Sequence, residues 1–210
     1  MEKETRALTN DQGAEIRKLA DSRTVEGYGI VFNKESKDLG GFIEVILPQA
    51  MQGVIANSDI YATLNHNTER GILARSKRGK GSLTLEVDDV GVKYKFDAPS
   101  YPLGDEVLQG VERGDISTSS FSFTVDAGGE NWEKMEDGRY KRTISKFMNI
   151  FDIGPVYNEA YVDTSIARRS MPTDDGAAGK PAGNKPAEPI QRSATTRVAL
   201  QRYKFLKRKR

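Results

Sequence analysis

Apolar residues recur at every second position along most of the chain, which is the spacing of strands that bury one face. This alternation predicts strands at residues 24–32, 41–47, 60–64, 82–87, 90–96, 119–125, 132–135, 140–144 and 147–156. Asp88-Asp89 separates two of these strands and Asp137-Gly138 separates two others, so each pair is predicted to form a hairpin.

The period changes to that of a helix over residues 101–113, and Gly114 follows the last turn. A shorter helix is predicted from Pro48 through Val54. These elements together predict a mainly β fold with a few helices (α+β). We expect a closed or partly closed antiparallel β-barrel flanked by helices, because closure leaves few unpaired strand edges.

The composition changes after Met171, where the folded domain is predicted to end. The next stretch is rich in Pro, Gly and Ala and cannot bury enough apolar surface to offset the entropy lost on ordering. We therefore expect a folded domain at residues 1–171, a disordered linker at residues 172–191 and a C-terminal tail at residues 192–210.

Charge is distributed unevenly between the tail and the rest of the chain. Residues 192–210 hold eight Lys and Arg and no acidic residue, so the net charge of +2 leaves −6 on the remainder. This asymmetry bears on binding partners rather than on the fold.

The single His and the absence of Cys exclude a disulfide scaffold, a Cys nucleophile and zinc sites with thiolates or two His ligands. No stretch approaches the ~20 apolar residues of a membrane span, and the first residues do not form a secretory signal. A reducing, cytosolic setting without a cofactor or metal is therefore expected.

Three kinds of side chain could carry chemistry. His66 opens a polar loop after the strand at residues 60–64; on its own it is more simply an exposed loop residue, or else it projects into a cleft from a rigid strand end. Asp152 lies inside an apolar strand, which is costly unless the carboxylate is paired or the alternation turns it to solvent. Hydroxyls crowd the strand at residues 119–125 and the turn before it, and the nucleophile candidates there are Ser117, Ser119, Ser120 and Ser122.

A His, a Ser and an Asp can act together as base, nucleophile and orienting acid, although an ordinary Ser/Thr-rich strand face is equally consistent with these residues. Five segments go further, because in this order they resemble the prohead (capsid maturation) serine proteases of tailed bacteriophages, whose fold is similar to that of the herpesvirus assemblin proteases. The segments are VEGYGIVFN (25–33), FIEVILPQAM (42–51), NHN with GILAR (65–75), GDISTSSFSF (114–123), and IFDIGPV with AYVDT (150–164).

The resemblance implies specific roles. The family nucleophile falls on Ser120, the base on His66 and the acidic third member on Asp152. Ser119 and Ser122 stand where the family often has Met and Gly, so they remain minor alternatives. Arg168 and Arg169 fall near the place of an Arg pair that supports the oxyanion in assemblin-like enzymes, although two exposed Arg at a domain end fit equally well.

The resemblance also implies a setting. The expected function is a serine endopeptidase that acts inside the immature prohead, in the host cytoplasm, without cofactor or metal. Its expected partners are the major capsid protein with its scaffolding segment and its own chain as an autocleavage substrate. No membrane or nucleic acid partner is expected, and homo-oligomerisation is left open. The alternative is a non-catalytic capsid assembly adaptor, a scaffold-binding β-barrel that docks through its basic tail.

Overall fold

The computed structural model describes residues 2–8, 13, 15–157 and 171–172. The expected tail and all of the expected linker except Pro172 lie outside these residues. The strands of the described part are β1 (Glu4–Ala7), β2 (Ile16–Lys18), β3 (Thr24–Val31), β4 (Phe42–Ile46), β5 (Asp59–Ala62), β6 (Ala74–Lys77), β7 (Lys80–Gly81), β8 (Thr84–Val87), β9 (Gly91–Asp97), β10 (Thr118–Val125), β11 (Glu130–Lys134), β12 (Tyr140–Ile144) and β13 (Phe147–Val156). Its helices are α1 (Val54–Asn57) and α2 (Pro102–Arg113), and short 3-10 turns lie at Pro48–Met51 and Thr68–Arg70.

The described strands form three sheets. The strand order is β1-β10-β13-β5-β6-β7 in the first, β11-β12-β4 in the second and β2-β3-β9-β8 in the third. Most neighbours are antiparallel, but β13 pairs with β5, and β12 with β4, in parallel. The expected mainly β fold with a few helices is therefore confirmed.

The expected closed or partly closed antiparallel barrel is not found in the described residues, in which all three sheets are open. Closure requires hydrogen bonds to continue from strand to strand around a ring. Here the first sheet ends at β1 and β7 instead, and the strands are divided among separate sheets. The alternation predicts nine of the thirteen described strands, but it contains no information on how the sheets end.

The first and third sheets pack face to face over the hydrophobic core. Gly29 of β3 permits the close approach, because a Cβ at this position would lie 2.2 Å from Cγ1 of Ile153 in β13. Tyr94 of β9 crosses the same interface, where its hydroxyl lies 2.8 Å from Oγ of Ser119. Aromatic rings fill the core beside β10, and the Phe121 and Phe123 ring centroids are 5.0 Å apart.

A buried ionic network joins β1 to the second sheet. Arg6 donates from Nε to Glu44 Oε1 at 2.9 Å and from Nη2 to Glu4 Oε2 at 2.6 Å. Arg142 donates from Nη2 to Glu4 Oε1 at 2.8 Å and from Nη1 to Glu44 Oε2 at 2.9 Å. Its Nε also donates to Glu130 at 2.6 Å. Strands β1, β4, β11 and β12 thus meet at one set of charges.

Burial makes this network sensitive to the loss of any member. Only 1% of Arg142 is exposed, so its charge depends on its carboxylate partners. Burial would lower the pKa of Arg142, but hydrogen bonding to Glu4 and the charges of the surrounding carboxylates hold it above its ordinary value. Burial would likewise raise the pKa of Glu4, but Arg142 and Arg6 outweigh that effect and lower it. Removing one partner leaves the remaining buried charges without compensation.

Replacing Arg142 by Ala is expected to lower the free energy of unfolding by about 3–5 kcal/mol, because Glu4 and Glu44 lose a buried counter-charge. Urea unfolding monitored by circular dichroism measures this quantity. The matched control is Lys141→Ala on the same strand, since Lys141 pairs with Glu35 at 3.1 Å in an exposed position. That variant should lose no more than about 1 kcal/mol. Equal losses in the two variants would contradict the importance of the network.

The lowered pKa of Glu4 predicts a loss of stability in acid. The carboxylate is favoured in the folded state, so its contribution is complete above the ordinary value of 4.5 and is lost as the pH falls through the lowered folded pKa. Glu4→Gln should therefore destabilise the protein by about 2 kcal/mol at neutral pH, and by less in strong acid. Urea unfolding at several pH values tests this, with the exposed Glu112→Gln as control. A pH-independent difference between Glu4→Gln and the wild type would refute it.

Candidate active site

His66 lies between Ser120 and Asp152. Its Nε2 is 2.6 Å from Ser120 Oγ, and its Nδ1 is 3.0 Å from Asp152 Oδ1. The structure thus brings together the three residues singled out in the sequence, each within hydrogen-bond reach of its neighbour. Ser120 and Asp152 are 2% and 4% exposed, whereas 19% of the His66 side chain is accessible.

Pairing between β10 and β13 places the hydroxyl and the carboxylate on one face of the first sheet. Ser120 is opposite Gly154 and Ser122 is opposite Asp152, and directly opposed residues point to the same side. The register then shifts, because Phe123 is opposite Ile150 and one residue of β13 is left over. Such a bulge re-aims side chains, and it lies next to Asp152.

The turn that follows β5 presents His66 in an uncommon backbone conformation. Asn65 and His66 both have positive φ angles, of 55° and 57°. Asn65 fastens the turn to the end of β13, since its N–H donates to the Pro155 carbonyl at 3.1 Å and its Oδ1 accepts from the Tyr157 N–H at 3.0 Å. Left-handed backbone at a non-glycine residue is held only by such surrounding contacts.

The neighbouring serines make different contacts. Ser119 Oγ is bonded to the buried Tyr94 hydroxyl, whose pKa is raised by burial. Ser122 Oγ is buried and has no hydrogen-bond partner among the described residues. Of the serines that sequence reasoning considered on β10, Ser120 is therefore the one whose hydroxyl meets the imidazole.

The Ser120 hydroxyl also meets the backbone of β1. Its Oγ is 2.8 Å from the Arg6 carbonyl oxygen, and it has a single hydrogen to donate. When His66 Nδ1 donates to Asp152, Nε2 is an acceptor and can take the Ser120 hydrogen. When both ring nitrogens are protonated, Nε2 donates instead and the hydroxyl turns to Arg6.

A polar cluster joins three elements at the rim of the site. Glu106 of α2 accepts from Arg70 Nη1 at 3.2 Å and from the Tyr157 hydroxyl at 2.6 Å. Burial and the bond to Glu106 raise the pKa of Tyr157 to about 12. The cluster connects the turn after His66, the helix before β10 and the end of β13.

Arg168 and Arg169, the residues expected to support an oxyanion, lie outside the described residues, and their role stays a prediction. In the part of the chain that the structure describes, no group of three or more His, Asp or Glu is arranged to hold a metal ion. No helix in that part is long and apolar enough to cross a membrane.

A serine whose hydroxyl contacts an imidazole, itself backed by a carboxylate, is the arrangement of a serine hydrolase. The chain belongs to the caudovirus prohead serine proteases, because the profile of that family matches residues 12–175. The protein is thus a serine protease of bacteriophage capsid maturation. This match confirms the family and the enzyme class expected from the sequence. It also favours a protease over a non-catalytic adaptor. A search of curated proteins finds no match. A search of solved structures finds none either.

Sequence reasoning missed two parts of the surroundings of the site. Strand β1 was not predicted, although Glu4 and Arg6 have the period of a strand with charged side chains on one face. Thr63 belongs to the predicted strand at residues 60–64 and was not predicted to contact the site, although its Oγ1 donates to Asp152 Oδ2 at 2.6 Å. A buried Asp with an expected His partner needs a second hydrogen-bond donor. This requirement was the available signal for Thr63.

The Asn65 turn yields a prediction about stability. Asn65→Gly removes the side-chain bond to Tyr157 but tolerates the positive φ, whereas Asn65→Ala removes the bond and adds backbone strain. The Ala variant should be less stable than the Gly variant by about 1 kcal/mol. Thermal and urea unfolding of the two variants provide the comparison. An Ala variant as stable as the Gly variant would contradict the strained turn.

Proposed function

We propose that Ser120, His66 and Asp152 are the catalytic triad of this protease. The observation that carries the proposal is the position of the His66 ring, which has the Ser120 hydroxyl at one nitrogen and the Asp152 carboxylate at the other. The single His of the chain leaves no competitor for the role of general base. Membership in a serine peptidase family supports the same assignment.

The mechanism follows from these contacts. Ser120 Oγ attacks a peptide carbonyl while His66 Nε2 takes its proton, and the imidazolium then gives that proton to the leaving amine. Asp152 accepts from Nδ1–H, which fixes the tautomer and stabilises the charged ring. Water then hydrolyses the acyl-enzyme with the same base. Backbone N–H groups are the usual donors to the oxyanion, and Arg168 and Arg169 are proposed to assist them.

The proposed substrates are the scaffolding segment of the major capsid protein and the protease chain itself, cut inside the immature prohead in the host cytoplasm. Family membership supports a role in capsid maturation. The basic residues 192–210 are complementary to an acidic scaffold surface and are proposed to dock there. Residues 172–191 are proposed to be the flexible connection between the tail and the protease domain.

A fluorophosphonate, which phosphonylates activated serines, tests the nucleophile. The wild type should gain one probe mass by intact-mass spectrometry, and Ser120→Ala should gain none. The matched controls are Ser119→Ala and Ser122→Ala, which remove neighbouring hydroxyls of the same strand and should still be labelled. Labelling of Ser120→Ala at the wild-type rate would refute the assignment.

Cleavage is tested by co-expression with a capsid protein that carries its scaffolding segment. Wild type should shorten the capsid protein and its own chain, whereas Ser120→Ala should leave both at full mass, with activity reduced by about 10⁶-fold. If the capsid protein is cleaved but the protease chain is not shortened, the triad assignment stands and autocleavage is removed from the proposal.

A further inference from the structure

We propose that Thr63 is a positioning residue that holds the carboxylate of Asp152 in the orientation required to support His66. The inference rests on the proposed function of the triad. The Thr63 side chain contacts the Asp152 carboxylate, and its effect on the reaction passes through that group.

The two oxygens of the Asp152 carboxylate have separate partners. Oδ1 faces His66 Nδ1 at 3.0 Å, and Oδ2 accepts a hydrogen bond from Thr63 Oγ1 at 2.6 Å. Asp152 is 4% exposed and Thr63 is 1% exposed, so bulk water has little access to either group. An ionised carboxylate only accepts hydrogen bonds, so the Thr63 hydroxyl must donate its single hydrogen to Asp152 Oδ2.

Two donors on different oxygens fix the rotation of the carboxylate about its Cβ–Cγ bond. With His66 alone, the group could turn and still keep one hydrogen bond to the imidazole. The bond from Thr63 removes this freedom and keeps Oδ1 aimed at Nδ1. The ring orientation that presents Nε2 to Ser120 depends on that bond in turn.

The backbone supports the same contact independently. Thr63 follows the last residue of β5 and runs beside β13, opposite Gly154. A Cβ at position 154 would lie 2.8 Å from the Thr63 carbonyl oxygen and 3.2 Å from its nitrogen. A side chain at position 154 would therefore push Thr63 away from β13, and the glycine permits the approach that brings the hydroxyl to Asp152.

The test compares Thr63→Val, which keeps the shape but loses the hydroxyl, with Thr63→Ser, which keeps the hydroxyl. The matched control is Thr118→Val, since Thr118 is also buried in the first sheet but donates to the Leu8 carbonyl, away from the imidazole. The chain has one His, so the Nδ1–H resonance of isotope-labelled His can be assigned without ambiguity. Labelling by the fluorophosphonate provides a second readout.

The Nδ1–H resonance should be visible and protected from exchange in the wild type, Thr63→Ser and Thr118→Val, and broadened or lost in Thr63→Val. The fluorophosphonate labelling rate should fall by about 10-fold in Thr63→Val and by less than about 2-fold in Thr63→Ser. If Thr63→Val does not fold, Thr63→Ala replaces it with the same expectations.

A protected Nδ1–H resonance in Thr63→Val would overturn the proposal. An equal loss of that resonance or of labelling in Thr118→Val would also overturn it. Failure of the proposed function is recognised separately. In that case Ser120→Ala is labelled like the wild type. The Nδ1–H resonance still reports whether Thr63 fixes the hydrogen bond between Asp152 and His66.

Discussion

Asp152 introduces a carboxylate into a strongly apolar strand, and the arrangement of the candidate site follows from the need to satisfy it. At 4% exposure the group cannot rely on water, so the fold must supply donors. Thr63 and His66 provide them from the two sides of one turn. The same bonds that satisfy the buried carboxylate therefore fix the end of β5 against β13 and orient the imidazole.

The prediction is most accurate where apolar burial determines the pattern of a long strand. The alternation places the last strand at residues 147–156, and β13 has the same bounds. Strand β1 was not predicted because its inward side chains, Glu4 and Arg6, are charged, and the burial of this pair also depends on Glu44 and Arg142 far along the chain. A local pattern cannot represent that compensation. The barrel failed for a related reason, since sheet closure depends on contacts between distant edges.

Two kinds of sequence information point to the candidate site. The residues alone supplied a His, an Asp and four serines without a way to choose among the serines. The resemblance selected Ser120, and the structure places its hydroxyl against His66. Thr63 and the Arg6 carbonyl stayed hidden, because a threonine in a strand and a backbone oxygen have no distinctive sequence signal. Contacts of this kind are visible only once the register among β1, β5, β10 and β13 is known.

The fixed position of β1 gives the Ser120 hydroxyl a second acceptor. The ionic network anchors β1 through Arg6, whose carbonyl lies 2.8 Å from Ser120 Oγ. In the proposed mechanism, the hydroxyl donates to His66 before attack, so the reactive state leaves this carbonyl without the Ser120 hydrogen. Protonation of the free imidazole reverses the choice and turns the hydroxyl toward β1. In the proposed mechanism, a strand held by buried charges thus stabilises the unreactive orientation of the Ser120 hydroxyl when the His66 ring is protonated.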